Sequence, residues 1–220
     1  MTPERYQKIL HWLNAHPAAK QLVILLNHWL PAVPFVCYPV LLVLLNLQWF
    51  RLLRGGLDQT ALDFMQCIAR AILVPGFVFL GGTLLRKKLN FPRPYEQPGF
   101  TPLVEKETHG QSFPSRHALS AAVLAAVWLS FYPAVGGVMV AVTAAICVLR
   151  VLAGVHFPRD VIAGALLGFS LGIVGMRLLC ELPDPPGRKI SKKSTFLLDR
   201  TRWVWYYTSR SPPPTVACPR

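Results

Sequence analysis

Residues 135–160 read VGGVMVAVTAAICVLRVLAGVHFPRD. From 135 to 152 the run is apolar except for Thr143 and Arg150. A stretch of that length and polarity can cross a hydrocarbon layer about 30 Å thick as a helix. It ends in a polar cluster, and a second apolar run follows near 158–179. Working outward, similar runs lie near 116–132, 65–85 and 30–50. Pro133 with Gly136 and Gly137 marks the expected turn between 132 and 135. The last run repeats small residues (Ala163, Gly164, Ala165, Gly168, Gly172 and Gly175), which suits close helix packing in lipid.

The composition agrees. Of 220 residues, 53% are hydrophobic and 15% charged, with a mean hydropathy of +0.39. The apolar excess is gathered into runs rather than spread at core periodicity, which excludes an ordinary soluble domain. The expected fold is all-α: a polytopic membrane helical bundle of about five to six transmembrane helices with its site at one membrane face. The net charge of +13 fits inside-facing loops and anionic headgroups, and no basic stripe interleaved with aromatics points to nucleic acid. The five cysteines (Cys37, Cys67, Cys147, Cys180 and Cys218) show no CxxC spacing. They are expected to be reduced packing residues, without zinc or a disulfide framework.

Three regions follow. Residues 1–29 form an amphipathic, interfacial segment, with one helix over 4–19 that puts Tyr6, Ile9, Leu10, Trp12 and Leu13 on its apolar side. The first 20 residues are too polar for a signal-peptide core, and a crossing inside 1–30 stays open. Pro31, Pro34 and Pro39 interrupt the next segment. Residues 30–180 are the membrane core. Residues 181–220 are expected as a basic, Pro-rich, disordered cytoplasmic tail. Arg51 and Arg54, followed by Gly55 and Gly56, read as an inside turn. Arg70 can snorkel inward or meet Asp63.

That orientation sends the 86–115 connection outward, and the hairpin of the next two spans returns Arg150 and His156 to the same side. Three polar clusters then converge: RKKLNFPRP at 86–94, PSRH at 114–117 and RVLAGVHFPRD at 150–160. His156 and Asp160 are one helical turn apart, so the carboxylate can hold one ring nitrogen and leave the other as a nucleophile. Ser115 and the Arg116 amide, at a helix start, can bind phosphate oxygens. His117 can protonate a leaving alkoxide, and Arg86, Arg93 and Arg150 can neutralise the equatorial oxygens. No cofactor or metal is called for, and no acidic cluster has ligand spacing.

These clusters resemble the type-2 phosphatidic acid phosphatase superfamily. Its signature, Lys-x6-Arg-Pro, Pro-Ser-Gly-His and Ser-Arg-x5-His-x3-Asp, is met here by Arg86-x6-Arg93-Pro94, Pro114-Ser115-Arg116-His117 and Leu149-Arg150-x5-His156-x3-Asp160. The resemblance implies that His156 is phosphorylated, Asp160 orients it and His117 is the general acid. It also implies that Arg86, Arg93, Ser115 and Arg150 bind phosphate. Arg86, Arg116 and Leu149 depart from the signature, and Arg116 adds a cation at the rim.

The expected activity is hydrolysis of a lipid phosphate monoester or diphosphate, such as a polyprenyl diphosphate, phosphatidylglycerol phosphate or phosphatidate. The expected place is a bacterial inner membrane, with the site on the periplasmic face. A lipid phosphotransferase using the same residues and a catalytically silent lipid-binding protein are the alternatives.

Overall fold

The computed structural model describes residues 2–178. Among these the chain is helical without strands: α1 (Pro3–Ala15), α2 (Pro17–Trp29), α3 (Val33–Leu53), α4 (Gln59–Leu89), α5 (Arg116–Phe131), α6 (Pro133–Leu152) and α7 (Pro158–Leu178). The expected tail, 181–220, lies outside the described residues.

α5 is the axis. Nearly all of its side chains are buried, and α7, α6 and α4 pack around it. Its sequence, RHALSAAVLAAVWLSF, supplies small residues on several sides, so neighbours can approach closely. The closest approach is α7. A Cβ at Gly164 would stand 2.6 Å from the Ser115 carbonyl oxygen, and one at Gly172 would stand 2.7 Å from Ala126 Cβ. One at Gly168 would collide with the Leu119 carbonyl oxygen. Spaced four apart, these glycines form the seam that lays the start of α7 against the start of α5.

Around this seam the outer faces are apolar. Val36, Val43, Phe77, Val138, Ile162 and Leu166 are all more than half exposed. In water such a surface would be a liability; in lipid it is the expected exterior. Four segments are long and apolar enough to cross a membrane: Pro17–Leu53, Gln59–Glu96, Pro133–Leu152 and Pro158–Arg177. With α5 between them, the all-α membrane bundle holds.

Two internal prolines leave helical carbonyls without their usual donors. Pro75 cannot donate to the Ala71 carbonyl. Tyr38 Oη donates to that oxygen instead, at 2.7 Å, and ties α3 to α4. Pro39 is carried inside α3, while Pro31 lies in the 3₁₀ turn Leu30–Ala32 and Pro34 sits at the start of α3.

Four expectations are corrected. The helix expected over 4–19 is two helices, because Pro17 begins a new one after His16; Trp12 is exposed while Tyr6 and Leu13 are buried. α1 and α2, at 13 residues each, span only about 20 Å apiece at 1.5 Å per residue. The turn after Phe131 is the single residue Tyr132, with Pro133 opening α6. Gly136 lies inside α6, where its missing side chain makes room for Leu129. Of the two readings for Arg70, the contact with Asp63 gives way to Gln66, to which Arg70 donates at 3.2 Å one turn away, while Asp63 accepts from Gln59. Finally, Cys37 and Cys147 are free thiols but Cys67 is disulfide-bonded. A disulfide depends on proximity in the fold, which spacing along the chain does not report. Cys180 and Cys218 lie outside the described residues.

Candidate active site

The ends of α4 and α6 and the starts of α5 and α7 meet at one end of the bundle. α4 stops at Asn90, which takes a left-handed conformation (φ 42°) and turns the chain into the 90–115 connection. The connection is stitched back onto α4. Ser112 N–H donates to the Phe91 carbonyl (2.9 Å), and Gln111 N–H donates to Asn90 Oδ1 (3.2 Å). α5 and α7 are joined directly, since Ser115 N–H donates to the Asp160 carbonyl at 2.8 Å.

Asp160 is fully buried in the first turn of α7. Its Oδ2 accepts from the Phe157 N–H at 3.1 Å, which caps the helix start. His156, in the turn before α7, is also buried, with Nδ1 3.8 Å from that Oδ2. This is an ion-pair separation, longer than the direct hydrogen bond the sequence suggests. Ser112 stands beside this pair. Its Oγ donates to Asp160 Oδ2 at 2.5 Å and lies 3.4 Å from His156 Nδ1. Nδ1 therefore faces the Ser112–Asp160 pair, and Nε2 is the nitrogen left for chemistry. Burial pushes the His156 imidazole below its ordinary range. The neighbouring Asp160 carboxylate opposes this, while Arg93 and Arg86 add to it.

The cations surround the two histidines. Arg86 is buried in the last turn of α4 and donates to the Gln111 carbonyl at 2.5 Å. Arg93 donates through Nε to the Gly110 carbonyl at 2.9 Å. Arg150 is buried in the last turn of α6, and its Nε has no hydrogen-bond partner among the described residues. Ser115 Oγ, at the N-cap of α5, is likewise buried without a partner and does not cap its helix. Arg116 is exposed and His117 half-buried. The charges of Arg93, Arg116 and Asp160 act on Arg86, and those of Arg93 and Arg116 act on Arg150. Arg150, His156 and Arg116 act on His117. Seven of the eight residues singled out in the sequence thus act on one another electrostatically, and the eighth, Ser115, is tied to Asp160 through its backbone N–H. Buried donors without partners, set among guanidiniums, suit an anion with several oxygens. Among the described residues no group of three or more His, Cys, Asp and Glu side chains could hold a metal.

Three participants escaped the sequence reading. Ser112 sits in the long connection with no motif around it. Lys106 lies exposed in the same connection, where partial desolvation and then the charges of Arg150, Arg93 and Arg116 lower its pKa. Tyr6, fully buried, reaches in from α1. Its Oη donates to the Leu152 carbonyl (3.0 Å) and accepts from the Leu103 N–H (3.0 Å), while its ring stacks on Phe100 at 4.4 Å. Gly154 has φ +75°, and a Cβ there would stand 2.5 Å from that oxygen. Tyr6 thereby fastens the connection to the turn that separates Arg150 from His156. Only the pairing of Tyr6 with a distant apolar stretch could have signalled this, and no spacing encodes it.

Residues 62–182, more than half of the chain, match the PAP2 superfamily. The chain belongs to that superfamily and is an integral membrane protein. It is 29% identical over 168 residues, 72% of each chain, to the lipid A 1-phosphatase of Rhizobium etli. Among solved structures it is similar to Aquifex aeolicus LpxE, with 27% identity over 71% of this chain and 93% of that one and a TM-score of 0.40. It is also similar to the first transmembrane PAP2 type phosphatidylglycerolphosphate phosphatase from Bacillus subtilis, with 24% identity over 79% and 90% and a TM-score of 0.38.

Proposed function

We propose that the protein hydrolyses a phosphorylated lipid at the outer face of a bacterial inner membrane through a phosphohistidine. His156 Nε2 attacks phosphorus. An N–P bond forms as the P–O bond to the lipid breaks, and His117 delivers a proton to the departing oxygen. Water then attacks the phosphohistidine, His117 takes up the water's proton, the N–P bond breaks and inorganic phosphate leaves. Asp160 and Ser112 hold Nδ1, so the imidazole keeps one orientation and the developing positive charge has a carboxylate beside it. Arg86, Arg93, Arg150 and Ser115 hold the phosphoryl oxygens while charge builds on them.

The observation that carries this reading is the orientation of His156. Nδ1 faces the Ser112–Asp160 pair, which leaves Nε2 without that engagement, and the charges of Arg93 and Arg86 act on the ring. The topological expectation supports the outer face: Arg51, Arg54 and Arg177 lie toward the opposite end of the bundle.

A glycosyl 1-phosphate of the lipid A type is the first substrate to assay, because a relative bears that activity in its name. Phosphatidylglycerol phosphate, a polyprenyl diphosphate and phosphatidate complete the panel. Phosphate release by purified protein from at least one of these, abolished by His156→Ala, is the expected result. Full turnover by the His156 variant would remove the assignment.

A further inference from the structure

Arg86, Arg93 and Arg150 account for one phosphate in the reading above, yet two further cations, Arg116 and Lys106, stand exposed at the same end of the bundle. Arg116 is the first residue of α5 and follows Ser115, whose N–H is bonded to the Asp160 carbonyl. Lys106 is brought in by the long connection. Leu103 N–H donates to Tyr6 Oη at 3.0 Å, and Val104 N–H donates to the Ala153 carbonyl at 3.3 Å. Two residues past Val104, the Lys106 backbone lies within about 7 Å of that anchor. The charges of Arg150, Arg93 and Arg116 act on Lys106, and those of Arg116 and Lys106 act on His117. Among the described residues neither side chain has a hydrogen bond or an ion pair, although Glu105 and Glu107 flank Lys106 in the chain.

We propose that Arg116 and Lys106 bind a second phosphate of the substrate, on the leaving-group side, so that the preferred substrate class is a lipid diphosphate. The inference rests on the lipid-phosphatase reading above and deepens it. The side of the site decides the occupant. His117 serves the departing oxygen, Arg116 precedes it in the chain, and the charges of both cations reach it. An uncharged alcohol leaving on that side gives a cation nothing to bind. A departing phosphate gives it several charged oxygens, which a guanidinium and an ammonium both suit. Like charges gathered at one rim destabilise one another, and a multiply charged anion relieves this more fully than a single phosphate does.

The chemistry balances as it does for a monophosphate. His156 Nε2 forms a bond to the terminal phosphorus, and the bond from that phosphorus to the bridging oxygen breaks. The lipid monophosphate leaves with the electron pair and the proton from His117, its remaining charge held by Arg116 and Lys106. Water then releases inorganic phosphate from His156 as before. Both cations are exposed, so glutamine at either position removes the charge without opening a cavity in the bundle. At position 116 it also keeps the backbone N–H at the start of α5.

The experiment measures initial rates of phosphate release from a prenyl diphosphate and from the prenyl monophosphate of the same chain length, in mixed micelles at fixed surface concentration. Wild-type protein is compared with Arg116→Gln, Lys106→Gln and Arg116→Lys. The expected result is a fall of at least about tenfold in the ratio of kcat/KM for diphosphate to kcat/KM for monophosphate in both glutamine variants, with most of the ratio kept in Arg116→Lys. A ratio that holds within about twofold in either glutamine variant overturns the second subsite and leaves the phosphatase reading standing. Loss of both substrates alike assigns the two cations to the shared phosphate and overturns it equally, as does wild-type protein that leaves the diphosphate intact. Phosphatidylglycerol phosphate and phosphatidate form a second pair, in which the extra phosphate is a headgroup diester. A fall confined to that pair overturns the diphosphate assignment. Wild-type protein that releases phosphate from none of the four substrates brings down both readings.

Discussion

His156 Nδ1 stands 3.8 Å from Asp160 Oδ2, and the hydroxyl of Ser112 lies to one side of the pair, 2.5 Å from that oxygen and 3.4 Å from that nitrogen. The imidazole nitrogen therefore faces two partners side by side, the carboxylate and the serine hydroxyl bonded to it. Ser112→Ala should lower kcat by about tenfold, and Asp160→Asn by on the order of a hundredfold, the range typical of orienting partners. Steady-state kinetics on the two variants decides the order. Equal losses would mean that Ser112 carries as much of the orientation as the carboxylate.

The pH profile follows from the same residue. Burial and the neighbouring arginines hold the His156 pKa below its ordinary value, which for histidine is about 6.5. The nucleophile is the unprotonated form, present above the pKa and lost as pH falls through it. The acid limb of kcat/KM should therefore lie below pH 6.5 or so. Arg93→Gln removes one of the charges that disfavour the imidazolium, so its acid limb should move to higher pH. A shift to lower pH in that variant would reverse the sign of the argument.

Tyr6→Phe keeps the ring stacked on Phe100 and removes only the hydroxyl that bonds Leu152 and Leu103. Leaving two backbone groups unpaired costs roughly 1–3 kcal/mol. The loss should appear in the lipid-phosphatase rate as well as in thermal stability, because the connection carrying Lys106 and Ser112 is anchored there. Unchanged activity at a temperature well below the transition would limit Tyr6 to a structural role.

The seam between α5 and α7 offers a purely energetic check. Gly168→Ala places a methyl group against the Leu119 carbonyl, and overpacking of this kind costs about 1–3 kcal/mol. Gly137→Ala, on α6 with open space around its Cβ, should be neutral or slightly stabilising. Unfolding in detergent, followed side by side, distinguishes the two.

Much of this was legible in the chain because long apolar runs and a three-part motif are local signals. The all-α membrane bundle could be read from run length, and the gathering of Arg86, Arg93, Arg150, His117, His156 and Asp160 toward one end of it from the order and spacing of the three clusters. What was missed depends on approach in space. Ser112 and Tyr6 have no neighbours in sequence that announce them; they matter because the connection folds back onto α4 and because Gly154 leaves room for a phenol. The Gly136–Gly137 pair read as a turn because glycine more often marks one, whereas here Gly136 yields space to Leu129. The disulfide at Cys67 also depends on proximity in the fold, whereas the break at His16 is local, Pro17 opening a new helix.

The most direct test of the central claim is rapid quenching of a single turnover with phosphorus-labelled lipid, followed by peptide mapping. The account predicts a transient, acid-labile and alkali-stable phosphoryl group on the peptide containing His156, absent from His156→Ala. Release of labelled phosphate at the normal rate, with no label on that peptide at any time point, would contradict it.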